Sequence, residues 1–433
     1  MNRLVVRGGY GINFNQNEIA ILANGFGNPP NVVNKDFCCS TTTTNIPGIL
    51  YETATNINSL FGYAPNPAAI TTFGPNNLPT SGVTSLTGFP SNPKTITNYH
   101  YSLDTQYQFP HSLVATLGYQ GSSSRHLLVQ SNYNVIAAGN GQALNQAVNF
   151  IDYYANTGTG NYNAMIATLK RTFANHFNLE AQYTWAKAMD ENSGPYSEDP
   201  YPFNSHAAYG RSDYNVGNTF KNFGMWQPVI FHGEHGWAEK AVGGWSLSGI
   251  YNWHTGFPWN PVYNTNTSGS ALYYNGSGYG QLRPAGVMAG AGTKTSNNTF
   301  MQPTNPNYGG NGTSYFTPPS FVVGPAFPAT APPPTPGIER NSLNGLHYDD
   351  LDASLSKGFG LPKMRVLGEN ARFEVRVDAY NFFNKTNLNT SSIDNTLGSV
   401  NPDGSVQSVN SDFGVARNAL GSRTVQLQSR FSF

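Results

Sequence analysis

The eleven residues that close the chain limit its fold more than any other stretch. Residues 423–433 read Arg-Thr-Val-Gln-Leu-Gln-Ser-Arg-Phe-Ser-Phe. Val425, Leu427, Phe431 and Phe433 share one face of an extended chain, and Thr424, Gln426, Gln428, Arg430 and Ser432 share the other. A period of two with one apolar and one polar side is the mark of a half-buried β-strand. Two architectures end this way. One is a soluble sandwich. The other is a membrane β-barrel, whose last strand pairs with the first and sets its aromatic tip in an interfacial girdle.

Composition narrows the class but fits both. Charged residues are 11% of the 433, against roughly 25% in an average soluble domain. Aromatics reach 13%, yet mean hydropathy is −0.39, so the chain is polar without being charged. That suits many strands joined by uncharged loops and argues against a helical bundle rich in Ala, Leu, Glu and Lys. The net charge of zero leaves no basic stripe for nucleic acid. No run of about 18 apolar residues could form a membrane-spanning helix, whereas a barrel strand needs only about 9–11 alternating residues. Residues 1–7 lead straight into a strand pattern and do not form a signal peptide.

The same alternation recurs along the chain. Leu4 to Phe14 forms a strand with a Gly-Gly-Tyr-Gly interior that no helix follows, so it is no dinucleotide fingerprint. Thr95–Phe109 and 113–120 make a hairpin about Pro110-His111, with Leu127–Gln130 as a candidate extension of its second arm. Tyr162–Phe173 and Phe177–Lys187 make a second hairpin about 174–176. Phe220–Phe231 with Trp245–Gly256, and Tyr348–Phe359 with Arg372–Phe383, make two more before the final strand. About ten strands are expected, with every second connection short. Such sorting fits an outer-membrane barrel, with short periplasmic turns near Pro110, Asn175, His232 and Pro362. Its long extracellular loops fall near 16–94, 122–160, 188–218, 257–345 and 385–421. The expected fold is an all-β, antiparallel transmembrane barrel.

Residues 372–383 orient the wall. Phe373, Val375, Val377 and Ala379 alternate with Arg372, Glu374, Arg376, Asp378 and Tyr380. An Arg on the lipid face at midplane costs about 2–4 kcal/mol. The four charges are therefore expected to face a wet lumen and to pair with opposite charges on neighbouring strands.

Other candidate sites are weak. His232-Gly-Glu234-His235 lies in a glycine-flanked turn and lacks the helical spacing of a metal site. Cys38 and Cys39 are adjacent, with no second pair to complete a zinc site. No metal, cofactor or catalytic residue is assigned, and no enzyme activity is expected. Asp190 and Glu191 with His206 could form the rim site of a small outer-membrane hydrolase, since paired carboxylates do acid–base work. Trp226, Trp253 and Trp259 read as girdle or loop packing, and Trp259 with Tyr263 is the candidate for stacking a ligand. A soluble carbohydrate-binding β-protein is the third reading.

Several stretches together resemble one family. They are Val6-Arg7-Gly8-Gly9-Tyr10-Gly11, Tyr162-Asn163-Ala164 with Leu169-Lys170-Arg171, Tyr183-Thr184-Trp185-Ala186-Lys187 ending at Asp190, and Gly243-Gly244-Trp245 with Thr255-Gly256. Phe373-Glu374-Val375-Arg376, Tyr380 to Asn384, Phe413-Gly414, Arg423 and the terminal Phe433 complete the set. In this order they are similar to the barrel of Oar-like TonB-dependent receptors. The resemblance implies an outer-membrane transporter of about 22 strands around a plug, importing a scarce ligand with energy delivered through TonB. It also implies outer-membrane lipid and the barrel-assembly machinery as partners, the latter through Val425, Leu427, Phe431 and Phe433. The ligand, a small molecule, oligosaccharide or peptide, stays open, and no ligand-binding residue carries over. The plug, the TonB-contacting segment and the family's N-terminal domain have no counterpart here. The expectation is thus the C-terminal portion of a longer receptor.

Overall fold

The computed structural model describes residues 3–16, 84–134, 148–174, 176–194, 205–229, 241–264, 281–287, 338–361, 371–400 and 406–432, with a few isolated positions besides. Ten long strands dominate. They are β1 (Leu4–Asn15), β2 (Ile96–Phe109), β3 (Leu113–Asn132), β4 (Val148–Ala174) and β5 (Phe177–Asp190), then β6 (Asn218–Trp226), β7 (Trp245–His254), β8 (Tyr348–Gly360), β9 (Arg372–Tyr380) and β10 (Thr424–Ser432). Each pairs antiparallel with the next in sequence, so the chain runs up and down through one continuous sheet. β1 and β10 are its two edges, and among the described residues they do not pair with each other. The fold is the all-β antiparallel wall expected from the alternation, as an open part of a barrel.

The register carries the two-sidedness of β9 through the whole sheet, because directly opposed residues point to the same side. On one side lie Arg7, Asp104, Gln106, Thr116, Thr168, Lys170, Glu180, Gln182, Lys221, Asn252, Ser248, Ser354, Arg376, Asp378 and Gln428. On the other lie Leu4, Val6, Leu103, Leu117, Met165, Leu169, Tyr183, Trp185, Leu247, Leu355, Val375, Val425 and Leu427. This second side is exposed: Leu117 is 54% accessible, Trp185 62% and Leu427 77%. A soluble sheet would bury such a face, and an apolar surface of this extent marks contact with a membrane. The soluble carbohydrate-binding reading fails here.

Aromatic residues edge the apolar side at both ends. Phe109, Phe177, Trp226, Trp245, Phe359, Phe373 and Phe431 lie toward the short turns. Tyr10, Tyr101, Tyr119, Trp185, Phe220, Tyr251 and Trp253 lie toward the long connections. The belts run obliquely to the ladder. Following paired residues from Phe109 leads through Leu113, Arg171, Leu179, Gly224, Gly249, Ala353 and Ala379 to Val425. The belt residue on β10 is instead Phe431, six positions further on. Six residues of about 3.4 Å over eight strand spacings of about 4.8 Å incline the strands by roughly 30°. That is close to the tilt of membrane barrels, about 35–45°.

Several boundaries differ from expectation. β3 and β4 continue pairing up to Asn132↔Asp152, well into the supposed loop 122–160, with irregularities between Arg125 and Val129. Beyond the belt both faces meet water, so the alternation fades while backbone hydrogen bonds persist. Thr84–Gly88, inside the supposed loop 16–94, adds a parallel strand to β4. β9 stops at Tyr380, not Phe383, because Asn381 turns the chain with φ 47°. β6 stops at Trp226, short of Phe231, and residues 230–240 about His232 lie outside the described residues. The opening Gly243-Gly244 of β7 has a steric reason. Gly244 has φ +73°, and a Cβ there would lie 2.5 Å from the Gly358 carbonyl oxygen. Cys38, Cys39, His232, Glu234, His235 and Phe433 lie outside the described residues.

Candidate functional site

Two polar assemblies stand out, one on the polar side of the wall and one at its long-loop end. On the wall, the residues Arg372, Glu374, Arg376 and Asp378 share the polar face of β9. Their pairing differs from expectation. Arg376 Nε meets Asp378 Oδ1 at 2.7 Å, along its own strand and not across to a neighbour. The residues opposite Arg376 are Ser356 and Gln428, which leave it no cross-strand acid. Positions two apart in a strand share a face, so the long Arg side chain reaches its own strand-mate. Glu374 lies opposite Arg430 in register. A cross-strand ion pair of the expected kind occurs elsewhere, between Lys170 on β4 and Glu180 on β5 at 2.8 Å.

The long-loop end is organised by Arg340. Its guanidinium donates to the carboxylate and backbone oxygen of Asp190, to Ala208 O at 2.9 Å, to Ser193 Oγ at 3.3 Å and to Asp213 Oδ1 at 3.2 Å. The Arg340 and Asp190 side chains are each 13% accessible, so this pair is largely withdrawn from water. Asn341 follows in the left-handed region, φ 57°, and donates to Arg211 O and Asp213 Oδ1. Arg211, on a short strand paired with the end of β5, donates to Asn344 Oδ1 and Leu343 O. Burial pushes the Arg211 guanidinium down from its usual value, against the opposing pull of Glu339. Residues 338–344 therefore cross the tip of β5 as a strap.

A small hydrophobic core lies beneath these connections. Trp259, Tyr263, Phe316, Leu343, Ile393, Leu397 and Phe413 are its buried members. Trp259 is 6% accessible and Tyr263 1%. Neither ring offers a face to a ligand, so the stacking role considered for them is replaced by loop packing. Trp226 and Trp253 lie on the apolar side of the wall, in the two belts.

The carboxylates of the supposed rim hydrolase are separated. Asp190 points to the polar side and is held by Arg340, whereas Glu191 accepts from Thr159 N–H at 2.7 Å and lies 3.1 Å from His206 Nδ1. Consecutive residues at a strand end diverge, and each acid has its own partner. The Ser193 hydroxyl donates to Asp190 and accepts from Arg340 and the Asp213 N–H. No nucleophile is poised beside His206 among the described residues.

Arg340 was missed by sequence reasoning. One signal marks it: residues 295–338 carry no Asp, Glu, Lys or Arg, and Glu339-Arg340 end that run.

The outer membrane transporter YddB of Escherichia coli is 10% identical with a TM-score of 0.41, over 81% of this chain and 34% of that one. The ferripyoverdine receptor of Pseudomonas aeruginosa, bound to ferripyoverdine, is 12% identical with a TM-score of 0.36, over 78% and 27%. The ferric-catecholate import receptor Fiu of Escherichia coli is 11% identical with a TM-score of 0.34, over 78% and 27%. This chain thus spans about a third or less of the length of these structures. No curated protein matches. The family model of the outer membrane beta barrel domain matches residues 1–426, nearly the whole chain. With its apolar exterior and twin aromatic belts, the chain is an outer-membrane protein and belongs to the outer membrane beta barrel domain family.

Proposed function

We propose that this chain is the C-terminal barrel segment of a TonB-dependent receptor, of the Oar-like type, that takes up a scarce extracellular ligand. The observation that carries the reading is the open ten-stranded sheet. It is amphipathic across its full width, yet its edges, β1 and β10, have no further partner strand among the described residues. Lipid-exposed open edges are not tolerated in hydrocarbon. Further strands on both edges would complete a larger barrel of the plugged-transporter kind. In this reading Arg372, Glu374, Arg376 and Asp378 line the lumen, and the loops within 16–94, 122–160, 188–218, 257–345 and 385–421 are extracellular. Plug and N-terminal domains supply the TonB contact. Val425, Leu427, Phe431 and Phe433 form the strand recognised by the barrel-assembly machinery. No catalytic step enters, and the ligand is a small molecule, oligosaccharide or peptide.

The test follows uptake in the source bacterium. Culture medium containing metal chelates, oligosaccharides and short peptides is assayed by mass spectrometry with the wild type, a strain lacking this gene and a strain lacking TonB. The reading expects a compound depleted by the wild type and spared by both mutants. Depletion that needs this gene but continues without TonB overturns TonB energisation, and identical depletion profiles overturn import.

A further inference from the structure

The apolar side of the wall has a groove that the transport reading does not use. It has a volume of about 700 Å3 and lies across β2–β5, between Leu103, Leu117, Tyr119, Met165 and Trp185. A second hollow of about 510 Å3 shares Thr105 and Leu117 with it and continues toward the short-turn end. Small residues make the depth. Ala115, Ala167 and Ala181 lie among Leu169, Tyr183 and Phe220, so the surface sinks between larger neighbours. From Asn163 to Leu169 the two hollows follow seven residues of β4, roughly 20 Å of strand. That is more than half of the ~30 Å hydrocarbon thickness.

The head of the groove is polar and cationic. Tyr101 lies across Gly121, where a Cβ would come 2.1 Å from the ring. This carries its hydroxyl over β3 to donate to Asn163 Oδ1 at 3.0 Å, which also accepts from the Tyr119 hydroxyl at 2.7 Å. Lys187 stands directly opposite Asn163 and lines the groove, two residues beyond Trp185. Arg125 lies on the same side, four residues beyond Gly121, which is itself paired with Asn163. Two strand spacings and four residues set the Cα atoms of Lys187 and Arg125 about 17 Å apart. Lys187 lines the groove itself and Arg125 lies beyond its head on the same side.

Charge on this face is one-sided. In the ten-strand register its ionisable Lys, Arg, Asp and Glu residues are Arg125, Lys187, Arg171, Lys357 and Asp349. Asp349 is bound by Lys385. Arg171 lies 5.5 Å from the Phe177 ring centroid, and Lys357 lies 4.7 Å from that of Trp245 and donates to Ala241 O. Arg211, also at the groove, is engaged by Asn344 and Leu343. Lys187 and Arg125 are exposed and have no ion pair among the described residues. Two free cations above an apolar slot, on the hydrocarbon-facing side, fit a molecule with an anionic head and a chain. Basic sites at the membrane interface recognise lipid headgroups in this way.

We propose that this groove is a specific lipid site, with an acyl chain between Leu117, Met165 and Trp185 and a phosphate headgroup held by Lys187 and Arg125. The bound lipid would seal the wall where small residues leave it thin. The site needs only the membrane orientation of the sheet and does not depend on the transported ligand.

The test uses the completed barrel that contains this chain, in phosphatidylcholine vesicles with a minor fraction of phosphatidylglycerol whose brominated acyl chains quench nearby tryptophan. The control carries the bromine on phosphatidylcholine at the same fraction. Quenching above the control is expected, and Trp185→Phe should remove that excess. Lys187→Gln with Arg125→Gln should lower the relative affinity for phosphatidylglycerol by about fivefold per cation or more. Ala167→Phe, which fills the slot and leaves the charges, should also remove the excess. Inorganic phosphate competes only if the headgroup alone suffices, and failure to compete assigns the affinity to the whole lipid. Retention of phosphatidylglycerol by the chain in detergent micelles, read by native mass spectrometry, gives the same comparison without vesicle insertion. Equal quenching by both lipids, or an excess and retention unchanged in the double variant, would overturn the site.

Discussion

Leu355→Arg tests the sidedness on which everything else depends. Leu355 lies on β8, midway between the belt residue Phe359 and Leu351, with Leu247 and Val377 directly opposite. It is 42% accessible, so its outer side is open. Midway between the belts is the depth at which an Arg facing lipid costs about 2–4 kcal/mol. Each 1.4 kcal/mol is a factor of ten, so the folded-to-unfolded ratio should fall roughly 30- to 700-fold at fixed urea. Ser248→Arg is the matched control. Ser248 lies on β7 at similar depth but on the polar side, opposite Ser354, whose other neighbour in register is Asp378. The new cation there meets polar side chains and an acid, and its cost should lie within about 0.5 kcal/mol. Folding of the completed barrel that contains this chain is read by the heat-modifiable shift on denaturing gels across a urea titration in vesicles. If Ser248→Arg costs as much as Leu355→Arg, or more, the assignment of sides is wrong.

Three other perturbations test separate parts. Arg340→Ala strips Asp190 of its partner in a largely dry site, a loss of about 3–5 kcal/mol in such settings. Because it acts on the strap and not the ladder, amide exchange at Ser212 and Asn341 should accelerate by about 100-fold or more while the heat-modifiable shift stays; unchanged exchange refutes the strap. Gly244→Ala meets both the left-handed φ and the Gly358 carbonyl, so it should cost about 1–3 kcal/mol, seen as a lower urea midpoint. Gly11→Ala, with open space at its Cβ, should cost well under that. Finally, paired cysteines at Gly8 on β1 and Leu427 on β10, with Cys38 and Cys39 replaced by serine, should remain uncrosslinked if further strands complete the barrel. A Gly8–Leu427 disulfide formed within one chain would mean that the ten strands close by themselves.

The wall was legible and the cap was not, for one physical reason. Where one side of a strand meets hydrocarbon and the other water, the sequence must alternate, and residues 372–380 state the orientation outright. Past the belts that constraint ends. Gly121-Ser122-Ser123-Ser124-Arg125 carries no alternation, yet β3 and β4 remain paired there through their backbones. The strap was hidden by distance: Arg340 and Asp190 are 150 residues apart and meet only once two connections are folded over β5. Charge on the wall was half legible. The side was readable from period two, but not the partner, because a cation in a strand can choose its own neighbour at i+2 as readily as one across the ladder.

The edges outweigh all these side-chain terms and so direct the functional reading. An edge strand leaves about every second N–H and C=O without a ladder partner. β1 has 12 residues and β10 has 9, and both pass between the aromatic belts. In hydrocarbon each unsatisfied group costs several kcal/mol. A single charge misplaced on the lipid side, at about 2–4 kcal/mol, is small beside either edge. The exposed side chains on the outer strands repeat the pattern of the inner ones: Leu4, Val6 and Tyr10 on β1, Val425 and Leu427 on β10. No proline, charge or bulge on the apolar side of either strand blunts it against pairing, as natural edge strands are blunted. Both are therefore built as interior strands. In the proposed reading further strands complete the sheet, and its activity belongs to that completed barrel and not to these ten strands alone.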